Sequence, residues 1–393
     1  MVFERIFIQF PTKVEFGPGK ISKLGHLGKQ YGKKAFIVMD PFFKSSDIAN
    51  NIFKDLYAND VQIVENYNAK PNPRYTDIDK AALLCIKEKC DFVVALGGGS
   101  AIDSAKAIAL VANNGKSSWS YTARENEYVE VPNNPGLPVI AIPTTSGTGS
   151  EGTIYSVINN PKEHRKCGIR NLYMYPALAI IDAEIMAGMP RMLTAMTGID
   201  TFAHGFESYT NKNATKFSEM TAMECMRLFA ENIEECCFNG KNIEARNNMA
   251  FASLLGGISI SHSPTTIGHI LGQSLSGRTD APHGGSIACC LAQIIRWTLP
   301  YGMEKLAKIA ELFDRSLICK STEEKARRLP DILSDLFEDI LGQKVTMGTY
   351  GLKQEETDSF AEFIFNSYQG DFKNYLKMPT KEDISYLIKQ CMD

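Results

Sequence analysis

The chain has 393 residues, of which 44% are hydrophobic and 22% charged, and its formal net charge is −3. This is an ordinary globular composition. The small net charge and the lack of a dense Lys/Arg block exclude nucleic-acid binding driven by a basic surface. The length exceeds that of most single cores and favours two domains.

The start of the chain, MVFERIFIQFPTK, does not have the pattern of a secretory leader. Glu4 and Arg5 interrupt its apolar residues, and a basic n-region and a small-residue cleavage site are both missing. No apolar run reaches the roughly 18 residues of a membrane helix. We therefore expect a cytoplasmic protein without a membrane partner.

The ten cysteines are expected to be reduced and mostly semi-buried. The adjacent pairs Cys236-Cys237 and Cys289-Cys290 lack a second pair at zinc-ribbon spacing, and ten cysteines in a chain of this length are far from a disulfide scaffold. A cysteine metal site is therefore not predicted.

The first half of the chain alternates short apolar runs with helical patterns. Five runs rich in Val, Ile and Phe predict buried strands: KKAFIVMD (33–40), VQIVENY (61–67), CDFVVALGGGS (90–100), LPVIAIPTTSG (137–147) and ALAIIDAEIM (177–186). Helical segments lie between them, for example at 77–89 and 101–114. This alternation predicts an α/β domain over residues 1–188 with a mostly parallel sheet, whose ligands bind at the carboxyl ends of the strands.

Asp40 ends the first of these strands. There an acidic side chain accepts hydrogen bonds from ribose hydroxyls and repels a 2′-phosphate, which favours NAD(H) over NADP(H). An Asp after a strand also serves as a turn or cap residue, and its position alone does not separate these roles.

Gly97, Gly98, Gly99 and Ser100 join a strand to a helix. Glycines at such a junction let backbone N–H groups approach a phosphate, and the helix N-terminus adds a favourable dipole. The stretch is neither G-x-G-x-x-G nor a Walker loop, and a tight turn without a ligand is the alternative.

A third strand end, IPTTSGTGSE, offers the hydroxyls of Thr144, Thr145, Ser146, Thr148 and Ser150. A cofactor-binding loop and a plain Ser/Thr/Gly loop both fit this pattern.

After Met189-Pro190 the pattern becomes helical, with apolar residues at helical spacing in segments 216–237, 245–261, 303–314, 322–341 and 381–393. Residues 189–393 are therefore predicted to form an all-helical domain.

Asp200 and His204 lie four residues apart in TGIDTFAHGFESY (197–209), so a helix would place them on one face, where they can share a metal ion. The stretch Thr197 to Asp200 also fits a capping box, in which Asp200 merely favours a helix start.

His269 and His283 are two of only six histidines, in SPTTIGHILGQSLSGRTDAPHGG (263–285). Ser263 and Pro264 form a plausible N-cap and first position for the helix that carries His269. One carboxylate and three imidazoles suit Fe²⁺, Zn²⁺ or Mn²⁺. Spacing does not show that these helices converge, and buried hydrogen-bonded histidines are the alternative.

Four segments together resemble, in their order and spacing, the iron-containing (group III) alcohol dehydrogenases. They are ALGGGSAIDSAK, IPTTSGTGSE, TGIDTFAHGFESY and GHILGQSLSGRTDAPHG. The segments FGPGKISKLG and PNP (71–73) fit as well, so the resemblance covers nearly the whole chain. It implies an N-terminal dinucleotide-binding α/β domain, a C-terminal helical metal-binding domain, an active site in the cleft between them, and self-association into a homodimer or higher homo-oligomer.

The resemblance also implies the site residues. The metal ligands fall on Asp200, His204, His269 and His283, and the pyrophosphate loop falls on Gly97 to Ser100. Further cofactor contacts fall on Asp40, Pro71, Asn72, Asp103, Thr144, Thr145, Ser146, Thr148 and Lys166. The implied cofactors are NAD(H) and Fe²⁺, with Zn²⁺ or Mn²⁺ as alternatives.

Two positions depart from the family pattern or extend it. Many members have a histidine four residues after the third ligand, but this chain has Gln273, which forms hydrogen bonds and does not titrate near neutrality. His262 precedes His269 by two helical turns and is a candidate second-shell residue, with a satisfied structural histidine as the alternative.

Arg278 is a second departure, in the predicted loop before Pro282-His283, where relatives often have an aromatic or apolar residue. A guanidinium there would suit a carboxylate, phosphonate or sulfonate group, which leads to the hypothesis of an anionic short aldehyde such as sulfoacetaldehyde, phosphonoacetaldehyde or succinic semialdehyde. A solvated or ion-paired arginine is the alternative.

The predicted activity is hydride transfer between nicotinamide and a short-chain aldehyde or primary alcohol. A glycerol or diol dehydrogenase and a dehydrogenase of neutral alcohols such as butanol or lactaldehyde stay open, and substrate profiling separates them. A non-redox lyase of the dehydroquinate synthase type and a filament-forming structural subunit are rivals from other classes. The full ligand set argues against a scaffold without activity.

Overall fold

The computed structural model describes residues 6–66, 69–125 and 127–392. The chain forms two compact units, Gln9–Gly188 and residues 189–392, and residues 6–8 group with the second of these. Tyr67 and Asp393, the last residues of a predicted strand and of a predicted helix, lie outside the described residues.

The first unit contains eight strands and four α-helices in its described residues. The strands are β1 Lys13–Phe16, β2 Lys34–Met39, β3 Gln62–Asn66, β4 Phe92–Gly97, β5 Val139–Pro143, β6 Tyr155–Asn160, β7 Arg165–Arg170 and β8 Leu178–Ile181. The helices are α1 Leu24–Gly28, α2 Asp47–Ala58, α3 Tyr75–Lys87 and α4 Gly99–Asn114.

Six strands form a parallel sheet in the order β1-β8-β5-β4-β2-β3. Consecutive side chains of a strand point to opposite faces of the sheet. Both faces of this sheet are buried, as in other parallel sheets covered by helices. Ile37 of β2 packs in a cluster with Leu56 of α2, whereas Phe36 packs with Ile78 of α3 and Ile102 of α4. The predicted α/β class with a mostly parallel sheet is therefore confirmed.

All five predicted strands are present, but β1 and the antiparallel hairpin β6–β7 were not predicted. The strands of the hairpin, Tyr155–Asn160 and Arg165–Arg170, mix polar and apolar residues without regular alternation and lack the continuous apolar run that marks the buried parallel strands. The hairpin carries Lys166, one of the residues assigned to the cofactor.

The second unit is helical throughout its described residues, which confirms the predicted class of this part. Its helices are α5 Arg191–Thr210, α6 Lys216–Phe238, α7 Ile243–His262, α8 Ile267–Thr279, α9 His283–Phe313, α10 Thr322–Leu341, α11 Thr357–Ser367, α12 Gln369–Phe372 and α13 Lys381–Gln390. The segment predicted at 303–314 is the second half of α9, beyond Pro300 and the non-helical Gly302.

Two predicted helix starts are wrong. Helix α5 begins at Arg191, and the Thr197 hydroxyl lies inside it and donates to the Leu193 carbonyl at 2.9 Å, so Thr197 and Asp200 are not a capping box. Ser263 ends α7, since its N–H donates to the Ser259 carbonyl, and α8 begins only at Ile267. In both places the local sequence fits a cap, but a longer helix or a neighbouring helix takes the hydrogen bond.

None of the described helices is both long and apolar enough to cross a bilayer. All ten cysteines lie in the described residues and are unpaired thiols, of which nine are buried and Cys319 is exposed.

Candidate metal centre and cofactor-binding edge

The four predicted metal ligands come from three helices of the second unit. Asp200 and His204 lie on α5, His269 lies in the first turn of α8, and His283 is the first residue of α9. Asp200, His204 and His269 are buried, and His283 is half-buried. Residues far apart in sequence thus meet in one small region of the helical unit.

The ligand atoms lie at distances that suit one ion. The Nε2 atoms of His204, His269 and His283 lie 3.8, 3.4 and 3.5 Å from Oδ1 of Asp200. Two ligands of a tetrahedral ion with bonds of about 2.0–2.1 Å lie roughly 3.3–3.4 Å apart. One oxygen of Asp200 is therefore surrounded by three imidazole nitrogens at about the spacing that a bound divalent ion requires.

The polar atoms at the centre of this set lack ordinary partners. Asp200 Oδ1 and His269 Nε2 are buried, and neither forms a hydrogen bond with the part of the chain that the structure describes. Buried polar atoms are nearly always satisfied, so such a pair needs a partner. Ligand atoms of Asp200, His269 and His283 all lie within 4.8 Å of one another, and this group does not include His204. These observations show that the residues fit a divalent ion.

The electrostatics of the centre favour an ionised carboxylate. Burial alone would raise the pKa of Asp200, but the facing histidines outweigh burial and hold this pKa well below its usual range. For His269, burial would lower the pKa, but the carboxylates of Glu207 and Asp200 raise it to about 9. In the metal-free centre Asp200 is therefore ionised, and His269 keeps its added proton up to about pH 9.

Glu207 is a functional candidate that the sequence analysis missed. Its carboxylate is fully buried and contacts Nδ1 of His269, and it accepts hydrogen bonds from Gly268 N at 2.5 Å and His269 N at 3.2 Å. Glu207 follows Asp200 by seven residues and His204 by three, which places all three on one helix face. This i, i+4, i+7 spacing was the available signal.

Gln273, His262 and Arg278 occupy different environments. Gln273 lies one turn after His269 on α8 and is half-buried. His262 ends α7, where its Nδ1 lies 2.8 Å from the Ile258 carbonyl and its ring packs on Phe217 with centroids 4.8 Å apart.

Arg278 lies in the last turn of α8 and not in the loop that the sequence suggested. Its Nη2 donates to Glu356 Oε1 at 2.7 Å, its guanidinium lies 5.7 Å from the ring centroid of Phe360, and 37% of its side chain is exposed. The arginine is therefore paired with a carboxylate of its own chain.

In the first unit, the predicted cofactor residues meet at the carboxyl edge of the sheet. Strand β4 lies between β2 and β5, and Met39 pairs with Leu96 and Gly97 with Pro143. Asp40, the Gly97–Ser100 stretch and the loop from Thr144 therefore follow three adjacent strand ends. The Thr144 N–H donates to the Gly97 carbonyl at 3.0 Å, which joins the two loops directly.

The glycines at this edge are required by a close approach. A Cβ on Gly98 would lie 3.1 Å from Thr145 Oγ1, and one on Gly99 would lie 2.4 Å from Thr148 Cγ2. Helix α4 begins at Gly99, and no side chain caps its first turn. Amides without a side-chain cap at the start of a long helix suit a phosphate, so the residues fit the pyrophosphate of a dinucleotide.

The remaining cofactor candidates divide into two groups. Asn72 and Lys166 are buried and joined by a hydrogen bond from Lys166 Nζ to Asn72 Oδ1 at 3.1 Å, and the exposed Pro71 precedes Asn72.

In the second group, Asp40 caps a short 3-10 helix by accepting from Phe42 N at 2.8 Å, and the Ser146 hydroxyl donates to Met186 Sδ at 3.2 Å. Asp103 accepts from Ser150 Oγ at 2.5 Å and Val157 N at 2.9 Å.

A structural role for Lys106 was not predicted. Its side chain forms hydrogen bonds that hold residues 150–155, at the end of the Thr/Ser loop, in place. Its fully buried Nζ donates to five oxygens: Ser150 O, Ser150 Oγ, Thr153 O, Thr153 Oγ1 and Tyr155 O. Burial lowers its pKa to about 8, and burial raises the pKa of the neighbouring Glu151 to about 7.

A dinucleotide-binding α/β unit together with a helical unit that bears an Asp/His₃ set defines the class of metal-dependent dehydrogenases. Comparison with known proteins agrees with this class. Residues 11–183 match the family model "Iron-containing alcohol dehydrogenase", and residues 194–392 match the C-terminal model of the Fe-containing alcohol dehydrogenase family. The chain belongs to the iron-containing alcohol dehydrogenase family.

Its relatives include proteins with different named substrates. The chain is 30% identical over 385 residues to an NAD-dependent methanol dehydrogenase of Bacillus methanolicus, covering 97% of this chain and 98% of the relative. It is 32% identical over 364 residues to a sulfoacetaldehyde reductase of Bilophila wadsworthia, covering 91% and 92%. A crystal structure of 1,3-propanediol oxidoreductase superposes with a TM-score of 0.92 at 28% identity, covering 99% and 100%.

These findings confirm the predicted family, the predicted enzyme class of alcohol dehydrogenases and the predicted fold class. The named substrates of these relatives differ from one another.

Proposed function

We propose that this protein is an NAD(H)- and divalent-metal-dependent alcohol dehydrogenase that interconverts a short-chain aldehyde and its primary alcohol, with Fe²⁺ as the ion and Zn²⁺ or Mn²⁺ as substitutes. The observation that carries the proposal is the convergence of three imidazole nitrogens on one buried oxygen of Asp200. A family relative that is named as NAD-dependent supports the nucleotide.

When they are bound, the ion supplies Lewis acidity at the substrate oxygen and the nicotinamide supplies or accepts the hydride. The four ligand residues hold the ion and fix the position of that oxygen. The carboxylate of Asp200 leaves a bound divalent ion with a net positive charge, because the other three ligands are neutral imidazoles.

On the nucleotide side, the amides at Gly98–Ser100 would hold the pyrophosphate and Asp40 would bind the ribose hydroxyls. The carboxylate of Asp40 then disfavours a 2′-phosphate. The loop beside the glycines is completed by Thr144, Thr145, Ser146 and Thr148, and Lys166 with Asn72 forms a buried polar pair. NADPH is therefore expected to be a poorer reductant than NADH.

Gln273 is proposed to contact the substrate, because it projects from the same face of α8 as His269. An amide side chain donates and accepts hydrogen bonds but does not exchange a proton near neutrality. The proton of the alcohol must then pass through water or a cofactor hydroxyl. His262 stays a candidate for supporting the metal ligands from outside the site, although its ring contacts its own helix and Phe217.

Neutral short aldehydes are proposed as the main substrates, because Arg278 is paired with Glu356 and does not present an unpaired positive charge. Anionic aldehydes are the second candidate, since one relative is named as a sulfoacetaldehyde reductase. For Arg278 to bind an anionic substrate, its guanidinium would have to leave Glu356.

The Arg278→Ala variant separates these two candidates. With Arg278 held by Glu356, we expect kcat/KM for propanal and for sulfoacetaldehyde to change by the same factor, below about threefold, since surface ion pairs contribute little. Steady-state kinetics with both aldehydes provides the measurement, and Arg296→Ala, which removes another ion-paired surface arginine, is the matched control. A selective loss for the anionic aldehyde of about tenfold or more, the size of a lost charged hydrogen bond, would instead assign Arg278 to substrate binding.

The proposed function is tested with metal-stripped protein to which Fe²⁺, Zn²⁺ or Mn²⁺ is restored one at a time. NADH oxidation is followed against neutral and anionic short aldehydes, and 1,3-propanediol is tested with NAD⁺ in the reverse direction. We expect turnover that depends on the added metal and is faster with NADH than with NADPH. Protein that binds NADH but turns over no aldehyde with any metal would contradict the proposal and favour the lyase or structural alternatives.

We also propose that the chain forms a homo-oligomer, which light scattering of the active preparation tests directly. A monomer with full turnover would contradict this part alone.

A further inference from the structure

The buried carboxylate of Glu207 joins the two helices that supply three of the four candidate metal ligands. It lies on α5 with Asp200 and His204, and it accepts hydrogen bonds from the start of α8. These donors are Gly268 N at 2.5 Å, His269 N at 3.2 Å, Thr266 Oγ1 at 3.1 Å, and the ring Nδ1 of His269.

Glu207 takes the place of an N-cap for α8. Thr266 is the N-cap residue, but its own side chain forms no capping hydrogen bond, and the amides of Gly268 and His269 in the first turn donate to Glu207 instead. A carboxylate at this position also interacts favourably with the helix dipole. A Cβ on Gly268 would lie 2.7 Å from Glu207 Oε1, so the contact needs glycine there.

The same carboxylate determines which nitrogen of His269 bears the proton. A carboxylate only accepts, so the Nδ1 atom that contacts Glu207 must be the donor. The neutral ring then has its lone pair on Nε2, which lies 3.4 Å from Asp200 Oδ1 at the centre of the ligand set. His269 is thus presented as a metal ligand by its hydrogen bond to Glu207.

We propose that Glu207 is a positioning residue of the metal centre. It holds His269 in the Nδ1–H tautomer and fixes the start of α8 against α5, so that the ligand set is organised before the ion binds. The inference rests on the proposed metal-dependent function. Outer-shell partners of this kind typically change metal affinity by about 10–100-fold when they are removed.

Glu207→Gln tests the proposal with almost no change of volume. If the amide oxygen keeps its contacts with the two backbone N–H groups, the amide NH₂ faces Nδ1. Nδ1 must then accept, and the ring proton moves to Nε2, where it opposes metal binding. If the amide turns over, its NH₂ instead faces two N–H donors. Either way, one part of the network is lost.

The experiment uses the full-length protein after metal removal and measures the Zn²⁺ dissociation constant by competition with a chromophoric chelator. Nitrogen-15 spectra of labelled histidine, recorded above pH 9 where the metal-free ring is neutral, report the tautomer of His269, and thermal unfolding of the metal-free proteins reports the fold. Glu219→Gln, which removes a partly exposed carboxylate of the same unit that pairs with Lys305, is the matched control.

We expect Glu207→Gln to weaken Zn²⁺ binding by about 10–100-fold and to move the His269 proton to Nε2 while the metal-free protein stays folded. Glu219→Gln should match the wild type in both respects. A dissociation constant for Glu207→Gln within threefold of the wild type would overturn the positioning role.

If Glu207→Gln does not fold, the wild-type spectrum recorded above pH 9, where the metal-free His269 ring is neutral, still decides, because a neutral ring with its proton on Nε2 contradicts the proposal. A wild type that binds no Zn²⁺, Fe²⁺ or Mn²⁺ would overturn the proposed function and this inference with it. A wild type that binds metal while Glu207→Gln binds equally well would overturn this inference alone.

Discussion

The Asp200→Asn variant is expected to lose the metal ion and aldehyde turnover together. Asp200 is the only carboxylate of the proposed ligand set, and its Oδ1 lies within 3.8 Å of all three imidazole Nε2 atoms. Replacing it with an amide removes the negative charge at the centre of the set. We expect the Zn²⁺ dissociation constant to rise by more than the roughly 10–100-fold typical of an outer-shell change.

Thermal unfolding with and without Zn²⁺ measures this effect apart from activity. An ion present at about 100 times its dissociation constant stabilises the fold by about 2.7 kcal/mol, and this gain should disappear in Asp200→Asn. Asp182→Asn is the matched control, because Asp182 is equally buried but lies in the first unit and caps a short 3-10 helix. Asp200→Asn that keeps the Zn²⁺-dependent gain would rule out Asp200 as a ligand.

The second large effect is expected at Lys106. Lys106→Met should lower the free energy of unfolding by about 3–5 kcal/mol, the usual cost of removing one partner from a buried charged network. The ammonium group donates to five oxygens of residues 150–155 and lies near the buried carboxylates of Asp103 and Glu151. Methionine fills a similar volume but satisfies none of these oxygens.

Chemical denaturation at several pH values measures the loss and its cause. The folded-state pKa of Glu151 is raised to about 7, so this group is protonated in the folded protein at pH 5.5 and its ionisation destabilises the fold as the pH rises toward 7. Without Lys106 this pKa rises further, so the loss in Lys106→Met should be larger at pH 7.5 than at pH 5.5.

Two further variants identify the source of the loss. Adding Glu151→Gln to Lys106→Met should recover part of it, because the double variant no longer buries an uncompensated carboxylate. Lys54→Met removes an exposed lysine of the same unit and should change the stability by less than about 0.5 kcal/mol. If Lys106→Met has the same free energy of unfolding as Lys54→Met, Lys106 does not stabilise the fold through these hydrogen bonds.

The parts of the fold that follow from local pattern were predictable. Buried parallel strands such as Lys34–Met39 and Phe92–Gly97 are continuous apolar runs, and long amphipathic helices such as Thr322–Leu341 have clear periodicity, so sequence and structure agree there. The hairpin Tyr155–Arg170 was missed because its strands have weak patterning. The start of α8 was misplaced because the Ser263 hydroxyl donates to the Ser208 carbonyl of α5 and does not cap α8.

The candidate site was likewise predictable only in part from the sequence. The glycine stretch at Gly97 and the hydroxyls from Thr144 were visible because each follows a strand, and strand ends meet at one edge of a parallel sheet. The roles of Glu207 and Lys106 were not visible, since each acts through partners more than 40 residues away. The ion pair of Arg278 with Glu356 is a similar case, with 78 residues between the partners.

The sequence by itself determined the two-part organisation, the family, and which residue types were available for a nucleotide and a metal ion, because these depend on local periodicity, composition and motif order. Only the tertiary structure shows that the Nε2 atoms of His204, His269 and His283 lie within 3.8 Å of Asp200 Oδ1, that Glu207 contacts His269 Nδ1, and that Arg278 is paired with Glu356. The physical reason is that helix packing brings together side chains from α5, α8 and α9, and their distances and hydrogen-bond partners depend on that packing and not on spacing along the chain.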